Sequence, residues 1–167
     1  MLQPVFPPLP LSGVVVRLLG EFMTPRSESN QTVLVVEDSA RDVELLQAAI
    51  RKANCACKFH FVKDGSEAIA YLNGDPPFED RSVHQTPRVI LLDLGLRRVD
   101  GFEVLKWIRA SDRCENVKIM VWSGWQNVKN AELTRQLGAN IFILKMATPD
   151  VYANVISGIS MALNDSR

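Results

Sequence analysis

Residues that bind soft metals or form covalent cross-links are scarce. The chain has three cysteines and two histidines in 167 residues. Cys55 and Cys57 are separated by one intervening residue, which is not the spacing of a zinc or redox pair. The odd cysteine count also argues against a disulfide framework. We therefore expect free thiols and no histidine-based metal site.

A surplus of one charge and a long apolar run are both absent. Lys and Arg together number 19, as do Asp and Glu, whereas nucleic-acid binding and polybasic membrane anchoring need a basic face. No apolar run reaches the roughly 20 residues that cross a bilayer. Residues 1–20 are apolar but interrupted by prolines, and they lack the basic start of a signal peptide. These absences predict a cytoplasmic protein that binds neither nucleic acid nor membrane.

The order of the apolar runs predicts one α/β domain. Residues 1–31 follow neither the strand nor the helix period, so we expect a disordered tail before a domain at 32–164. In that domain β-rich runs alternate with helical segments, which predicts a parallel sheet with helices on both faces. The predicted strands are Thr32–Val36, Phe59–Val62, Val89–Leu92, Lys118–Trp122 and Ile141–Leu144. The predicted helices begin at Ser39, Ser66, Phe102, Val128 and Pro149.

Polar groups follow four of these strands. They are Glu37–Asp38, Asp93, Ser123–Gly124 and Lys145. Ligands of such sheets bind beyond the carboxyl ends of the strands, so we expect these groups to converge. Three carboxylates in one place need a hard cation such as Mg²⁺. A lysine and a hydroxyl opposite them can hold phosphoryl oxygens, so the set suits phosphoryl transfer to a carboxylate.

Short motifs in a fixed order connect these residues with a known family. They are Val-Leu-Val-Val-Glu37-Asp38, Lys63-Asp64-Gly65-Ser66-Glu67-Ala68, Leu-Leu-Asp93-Leu-Gly95, Val99-Asp100-Gly101-Phe102-Glu103 and Leu137-Gly138-Ala139-Asn140-Ile-Phe142-Ile-Leu-Lys145. Over about Thr32 to Leu163 the chain resembles receiver domains of the CheY-like response regulator superfamily. The stretch from Asp38 to Leu46 and the Gly/Pro-rich loop before the third strand are similar to the small single-domain subgroup that pairs with bacterial phytochrome histidine kinases.

The resemblance implies a fold and a set of residue roles. The fold would be the doubly wound (βα)5 sheet of CheY-like and flavodoxin-like proteins. Asp93 would accept a phosphoryl group from a sensor histidine kinase. Mg²⁺ would be held by Glu37, Asp38, Asp93 and the carbonyl of Gly95. The phosphoryl group would be bound by Ser123, Gly124 and Lys145.

The resemblance also implies how a signal would leave the domain. Ser123 and Phe142 would form a switch that alters the surface of helix four, strand five and helix five. Because only four residues follow the last helix, we expect no output domain, and this surface would bind a partner or a second copy of the chain. Such a protein is not an enzyme, although it assists its own phosphorylation and dephosphorylation.

Three residues depart from the family pattern. Met146 follows the lysine where the family usually has a proline, often after a cis bond. A non-proline cis bond costs roughly 2.5–4 kcal/mol, so we expect this loop to be strained or rearranged. Arg97 replaces the proline usual four residues after the acceptor. Trp125, two residues after Ser123, is large enough to shield the phosphoryl group from water and so to modulate access.

Three other functions compete with this interpretation. A haloacid-dehalogenase-like phosphatase needs a second Asp two residues after its nucleophile, and this chain has Gly95 there. A flavodoxin-like cofactor-binding protein needs a phosphate loop after the first strand, where Glu37 and Asp38 would repel phosphate. A degenerate receiver that acts only as a protein-binding module stays open, although all the implied site residues are present.

Overall fold

The computed structural model describes residues 31–124, 128–146 and 148–164. Its strands are β1 (Thr32–Val36), β2 (Lys58–Val62), β3 (Val89–Asp93), β4 (Lys118–Ser123) and β5 (Ile141–Leu144). Its helices are α1 (Ala40–Ala53), α2 (Gly65–Asn73), α3 (Gly101–Ala110), α4 (Val128–Gln136) and α5 (Pro149–Asn164), with a short 3-10 helix at Asp112–Cys114. The predicted tail, apart from Gln31, and the predicted shielding role of Trp125 lie outside the described residues.

All five strands are parallel and belong to one sheet, in the order β2-β1-β3-β4-β5. The prediction of a doubly wound five-stranded α/β fold is therefore confirmed. In this order the chain leaves β1 toward one edge of the sheet and leaves β3 toward the other. The divergence opens a crevice at the carboxyl ends of β1 and β3, which is where ligands bind in open α/β sheets.

The core has two halves, one on each face of the sheet. In β1, Leu34 and Val36 face α2 and α3, whereas Val33 and Val35 face α1 and α5. Every residue of β1 and β3 is buried, which explains why these strands are continuous apolar runs rather than alternating ones. No helix among the described residues is long and apolar enough to span a membrane.

Side-chain caps fix the points where helices start at the carboxyl edge of the sheet. Ser39 accepts a hydrogen bond from the backbone N–H of Asp42, and Asp64 accepts one from Glu67. Asp100 caps α3 in the same way. These caps satisfy amide groups that the first helical turn leaves unpaired. They therefore hold the connections that surround the crevice.

The expectation of free thiols is wrong for two of the three cysteines. Cys55 and Cys57 form a disulfide, with their Cα atoms 5.4 Å apart, whereas Cys114 is free and buried. The preceding residue, Asn54, ends α1 in the left-handed conformation with φ 47°. The two cysteines follow this turn in the connection between α1 and β2, with a single intervening residue.

Two glycine-to-alanine substitutions should have opposite effects on stability. A Cβ on Gly101 would collide with the backbone of Asp93 and Leu94, so Gly101→Ala should lower the free energy of unfolding by about 2–3 kcal/mol. Gly158, in the middle of α5, faces the flexible end of Met120, so Gly158→Ala should be neutral or stabilising by up to about 1 kcal/mol. Urea denaturation followed by circular dichroism measures both. Equal effects would contradict the close approach of Gly101 to β3.

Candidate functional site

Three carboxylates converge at the crevice, as the positions of the strand ends predict. Glu37 and Asp38 follow β1, and Asp93 is the last residue of β3. Each offers an oxygen that lies within 4.8 Å of the oxygens offered by the other two. The residues Glu37 and Asp93 are only 3% and 6% exposed. Carboxylate oxygens so close together repel one another unless a cation lies between or beside them.

Lys145 supplies a positive charge to this cluster from the other side. Its ammonium Nζ donates to Glu37 Oε2 at 2.6 Å and to Asp93 Oδ2 at 2.7 Å. Its backbone N–H donates to the carbonyl of Ser123, the last residue of β4, at 2.8 Å. The residue Ser123 is fully buried. The predicted convergence of residues from β1, β3, β4 and β5 is therefore observed.

Two members of this cluster were not predicted from the sequence. Asp42 Oδ2 accepts a hydrogen bond from Lys145 Nζ at 3.1 Å, and the Tyr152 hydroxyl donates to Asp42 Oδ1 at 2.9 Å. Asp42 lies in the first turn of α1, three residues after the capping residue Ser39, and this place brings it to the crevice. The part played by Tyr152 depends on the packing of α5 against α1, which no local signal reveals.

The cluster holds more negative than positive charge, and its pKa values reflect this. Burial raises the pKa of Glu37 from 4.5 to about 7, and the charge of Asp93 adds to the rise, while Lys145 opposes it. Burial lowers the pKa of the Lys145 ammonium, but hydrogen bonds to Asp93 and Glu37 outweigh that effect and raise its pKa overall. Lys145 therefore stays charged, and the excess negative charge attracts a proton or a further cation.

Two glycines with predicted roles lie beside this cluster. The backbone N–H of Gly95 donates to Asp93 Oδ1 at 2.9 Å. Gly124 is exposed and lies next to the Lys145 side chain. Phe142, by contrast, lies within β5 and packs against the half of the core that contains α2 and α3. The structure places all three residues, and their roles as metal ligand, phosphoryl-binding group and switch stay predictions.

Two of the three departures from the family pattern lie in described residues. Met146 is exposed, and the cis peptide bond found among the described residues joins Pro76 and Pro77 rather than Lys145 and Met146. Arg97 lies against the carboxylate of Asp38. This contact adds a second cation to the cluster.

Comparison with known families agrees with this geometry. The sequence pattern of the response regulator receiver domain matches residues 33–157. The chain belongs to this family. Receiver domains of two-component systems are phosphorylated by histidine kinases, so the family match removes the phosphatase and flavodoxin alternatives.

Several relatives are similar along most of their length. Response regulator Rcp1 of Synechocystis sp. (strain ATCC 27184 / PCC 6803 / Kazusa) is 26% identical over 137 residues, which cover 82% of this chain and 91% of Rcp1. The phosphorylated cyanobacterial phytochrome response regulator RcpA is 28% identical with a TM-score of 0.73, covering 83% of this chain and 96% of that one. The Mn²⁺-bound form of Rcp1 is 25% identical with a TM-score of 0.72, covering 82% and 96%. The expected similarity to the phytochrome-associated subgroup is confirmed.

The raised pKa of Glu37 predicts a pH dependence of stability in the metal-free protein. Between pH 4.5 and about 7 the folded protein binds more protons at Glu37 than the unfolded chain does. The free energy of unfolding should therefore fall as pH rises through this window. The glutamine in Glu37→Gln cannot ionise, so its free energy of unfolding lacks this pH dependence. The stability of the variant relative to the wild type should therefore rise by about 2–3 kcal/mol between pH 5 and pH 8. Urea denaturation in EDTA measures the difference, and parallel pH profiles would contradict it.

Removal of the Tyr152 hydroxyl should alter how Lys145 is held. Tyr152→Phe keeps the ring that lies 5.4 Å from the Trp122 ring but leaves Asp42 without one hydrogen bond. We expect about 1 kcal/mol of lost stability and about two- to fivefold slower phosphorylation by acetyl phosphate. Tyr71→Phe is the matched control, because the Tyr71 hydroxyl donates to the Gln85 carbonyl at 3.0 Å, outside the cluster. It should lose similar stability with an unchanged rate, and equal rates in both variants would contradict a positioning role for Tyr152.

Proposed function

We propose that this chain is a response regulator whose Asp93 accepts a phosphoryl group from a sensor histidine kinase. The observation that carries the proposal is the position of the Lys145 ammonium, 2.7 Å from Asp93 Oδ2, at the edge of a cluster of three carboxylates. A buried carboxylate with a cation beside it can attack a phosphorus atom while the added negative charge is neutralised nearby.

The residues present fit a hard divalent cation. Glu37, Asp38 and Asp93 provide carboxylate oxygens that lie close together, and Gly95 lies beside them, with its backbone N–H bonded to Asp93. We assign Mg²⁺ to these four groups, because an all-oxygen donor set suits it. The Mn²⁺-bound form of Rcp1 supports a metal in this family. When bound, the ion neutralises charge on the carboxylates and on the phosphoryl oxygens.

The transfer itself is carried out by side chains of this chain. A carboxylate oxygen of Asp93 attacks the phosphorus, and the bond from phosphorus to the donor breaks with its electron pair leaving on the donor. The Lys145 ammonium moves its hydrogen bond from Asp93 to a phosphoryl oxygen. The hydroxyl of Ser123 and the backbone N–H of Gly124 lie at the same edge and bind further phosphoryl oxygens.

The output would leave through α4, β5 and α5. The backbone N–H of Lys145 donates a hydrogen bond to the Ser123 carbonyl, so Lys145 follows a movement of Ser123. Because Lys145 directly follows β5, such a movement also reaches that strand, which contains Phe142. The neighbouring surface exposes Leu133 and Ile141, which are 43% and 41% exposed. We propose that a second copy of the chain binds there when Asp93 is phosphorylated. Sedimentation velocity with and without beryllofluoride, a phosphoryl mimic, measures this, and a monomer in both conditions would contradict it.

The kinase partner is proposed to be of the phytochrome type. The support is the similarity to RcpA, a cyanobacterial phytochrome response regulator. The proposal places the protein in the cytoplasm, where a kinase can draw its phosphoryl group from ATP. The remaining alternative is a degenerate receiver that binds partners without being phosphorylated. The intact set of acidic residues and Lys145 favours the phosphorylated form.

Asp93→Asn should abolish phosphorylation and preserve the fold. The amide is a poor nucleophile, yet its oxygen can still accept the hydrogen bond from Gly95, and the substitution relieves carboxylate repulsion. Incubation with acetyl phosphate and Mg²⁺, followed by intact-protein mass spectrometry, should show one added phosphoryl group in the wild type and none in the variant.

A nearby carboxylate provides the control. Asp64→Asn removes the same charge, and Asn still caps α2, so this variant should be labelled as the wild type is. Labelling of Asp93→Asn at the wild-type level would reject Asp93 as the acceptor. An unlabelled wild type that folds and binds its partners would favour the degenerate receiver.

A further inference from the structure

A second cation, Arg97, occupies the open side of the acidic cluster. Its Nε donates to Asp38 Oδ2 at 2.7 Å, and its Nη2 donates to the Asp38 backbone carbonyl at 3.2 Å. Arg97 belongs to the connection between β3 and α3, four residues after Asp93. Its side chain is 80% exposed, whereas that of Asp38 is 15% exposed. The guanidinium therefore covers Asp38 from the solvent side and is free to move away.

The two cations divide the cluster between them. Lys145 contacts Glu37 and Asp93, and Arg97 contacts Asp38. A divalent ion that binds all three carboxylates must take an oxygen of Asp38. A guanidinium 2.7 Å from that carboxylate would then lie within a few ångströms of the ion, where like charges repel strongly.

We propose that Arg97 is a built-in counter-ion of Asp38 that a divalent cation displaces when it binds. Arg97 thereby weakens metal binding, and its side chain swings into solvent once the metal is held. The inference rests on the metal site assigned under the proposed function. It adds a residue that sets the affinity of that site without contacting the metal.

The size of the effect follows from the exposure of the pair. An exposed ion pair stabilises by little, but the metal must break it to bind, and the displaced positive charge still lies near the site. We expect Arg97→Ala to tighten metal binding about three- to tenfold. Because salt screens charges near the surface, the difference in metal affinity between Arg97→Ala and the wild type should be smaller at about 1 M salt.

The neighbouring residue supplies a matched control. Arg98 Nη1 lies 3.8 Å from Asp64 Oδ2, and the Arg98 side chain is 78% exposed. Arg98→Ala removes the same charge one position along the chain, but its partner is not in the acidic cluster. It should change metal affinity by less than about twofold. Arg97→Lys keeps the positive charge but cannot contact both the carboxylate and the backbone carbonyl of Asp38 as Arg97 does. Its metal affinity should lie between those of the wild type and Arg97→Ala.

Mn²⁺ titration of the full chain tests the proposal without reference to phosphorylation. Electron paramagnetic resonance measures free Mn²⁺, so it gives a dissociation constant for wild type, Arg97→Ala, Arg97→Lys and Arg98→Ala. The expected result is the tightest Mn²⁺ binding in Arg97→Ala, intermediate binding in Arg97→Lys and near-wild-type binding in Arg98→Ala, with a difference between Arg97→Ala and wild type that narrows in salt. Binding by Arg97→Ala within twofold of the wild type, or equal to Arg98→Ala, would overturn the counter-ion role. Failure of every variant to bind Mn²⁺ would overturn the metal site itself, and the counter-ion role with it.

Discussion

The ammonium group of Lys145 organises the carboxyl edge of the sheet. It is supplied from the end of β5 and contacts carboxylates from β1, β3 and the first turn of α1. Burial of Glu37 and Asp93 without this ammonium would cost far more than it does, because buried like charges repel and lose their hydration. The order of the strands brings the acidic residues together, and the Lys145 ammonium lowers the electrostatic repulsion between them. One ammonium does not neutralise all of these carboxylates, and the remaining negative charge favours the binding of a metal ion.

Much of this arrangement can be predicted from the sequence, because strand order and residue period depend on strong, repetitive signals. The bounds of β1 and β5 were predicted as observed, and those of β2, β3 and β4 differ by one residue at one end. In a parallel sheet every strand delivers its last residue to the same edge. The convergence of Glu37, Asp93 and Lys145 therefore follows from their positions alone.

What escaped prediction depends on side-chain direction and on distances between elements far apart in the chain. Tyr152 reaches Asp42 across 110 residues, and nothing local to either residue indicates the contact. Arg97 resembles any solvated loop arginine until the path of the connection after β3 is known. The Cys55–Cys57 disulfide depends on the relative direction of two side chains in a connection outside any helix or strand, which sequence patterns do not indicate. The features that were not predicted are contacts between two side chains, whereas the features that were predicted are positions of single residues along strands and at strand ends.

The hydrogen bond between Tyr152 and Asp42 connects the acidic cluster to the surface of α5. Tyr152 is half-buried and touches both the Trp122 ring and the acid that holds Lys145. Any protein whose affinity for α5 depends on where Tyr152 lies is energetically coupled to the state of the cluster. Such coupling is reciprocal. If a ligand of the cluster changes the affinity of a partner for α5 by some factor, binding of that partner changes the affinity of the cluster for the ligand by the same factor. Partners that bind α5 would then respond to the state of the acidic cluster and would also change its affinity for its ligands.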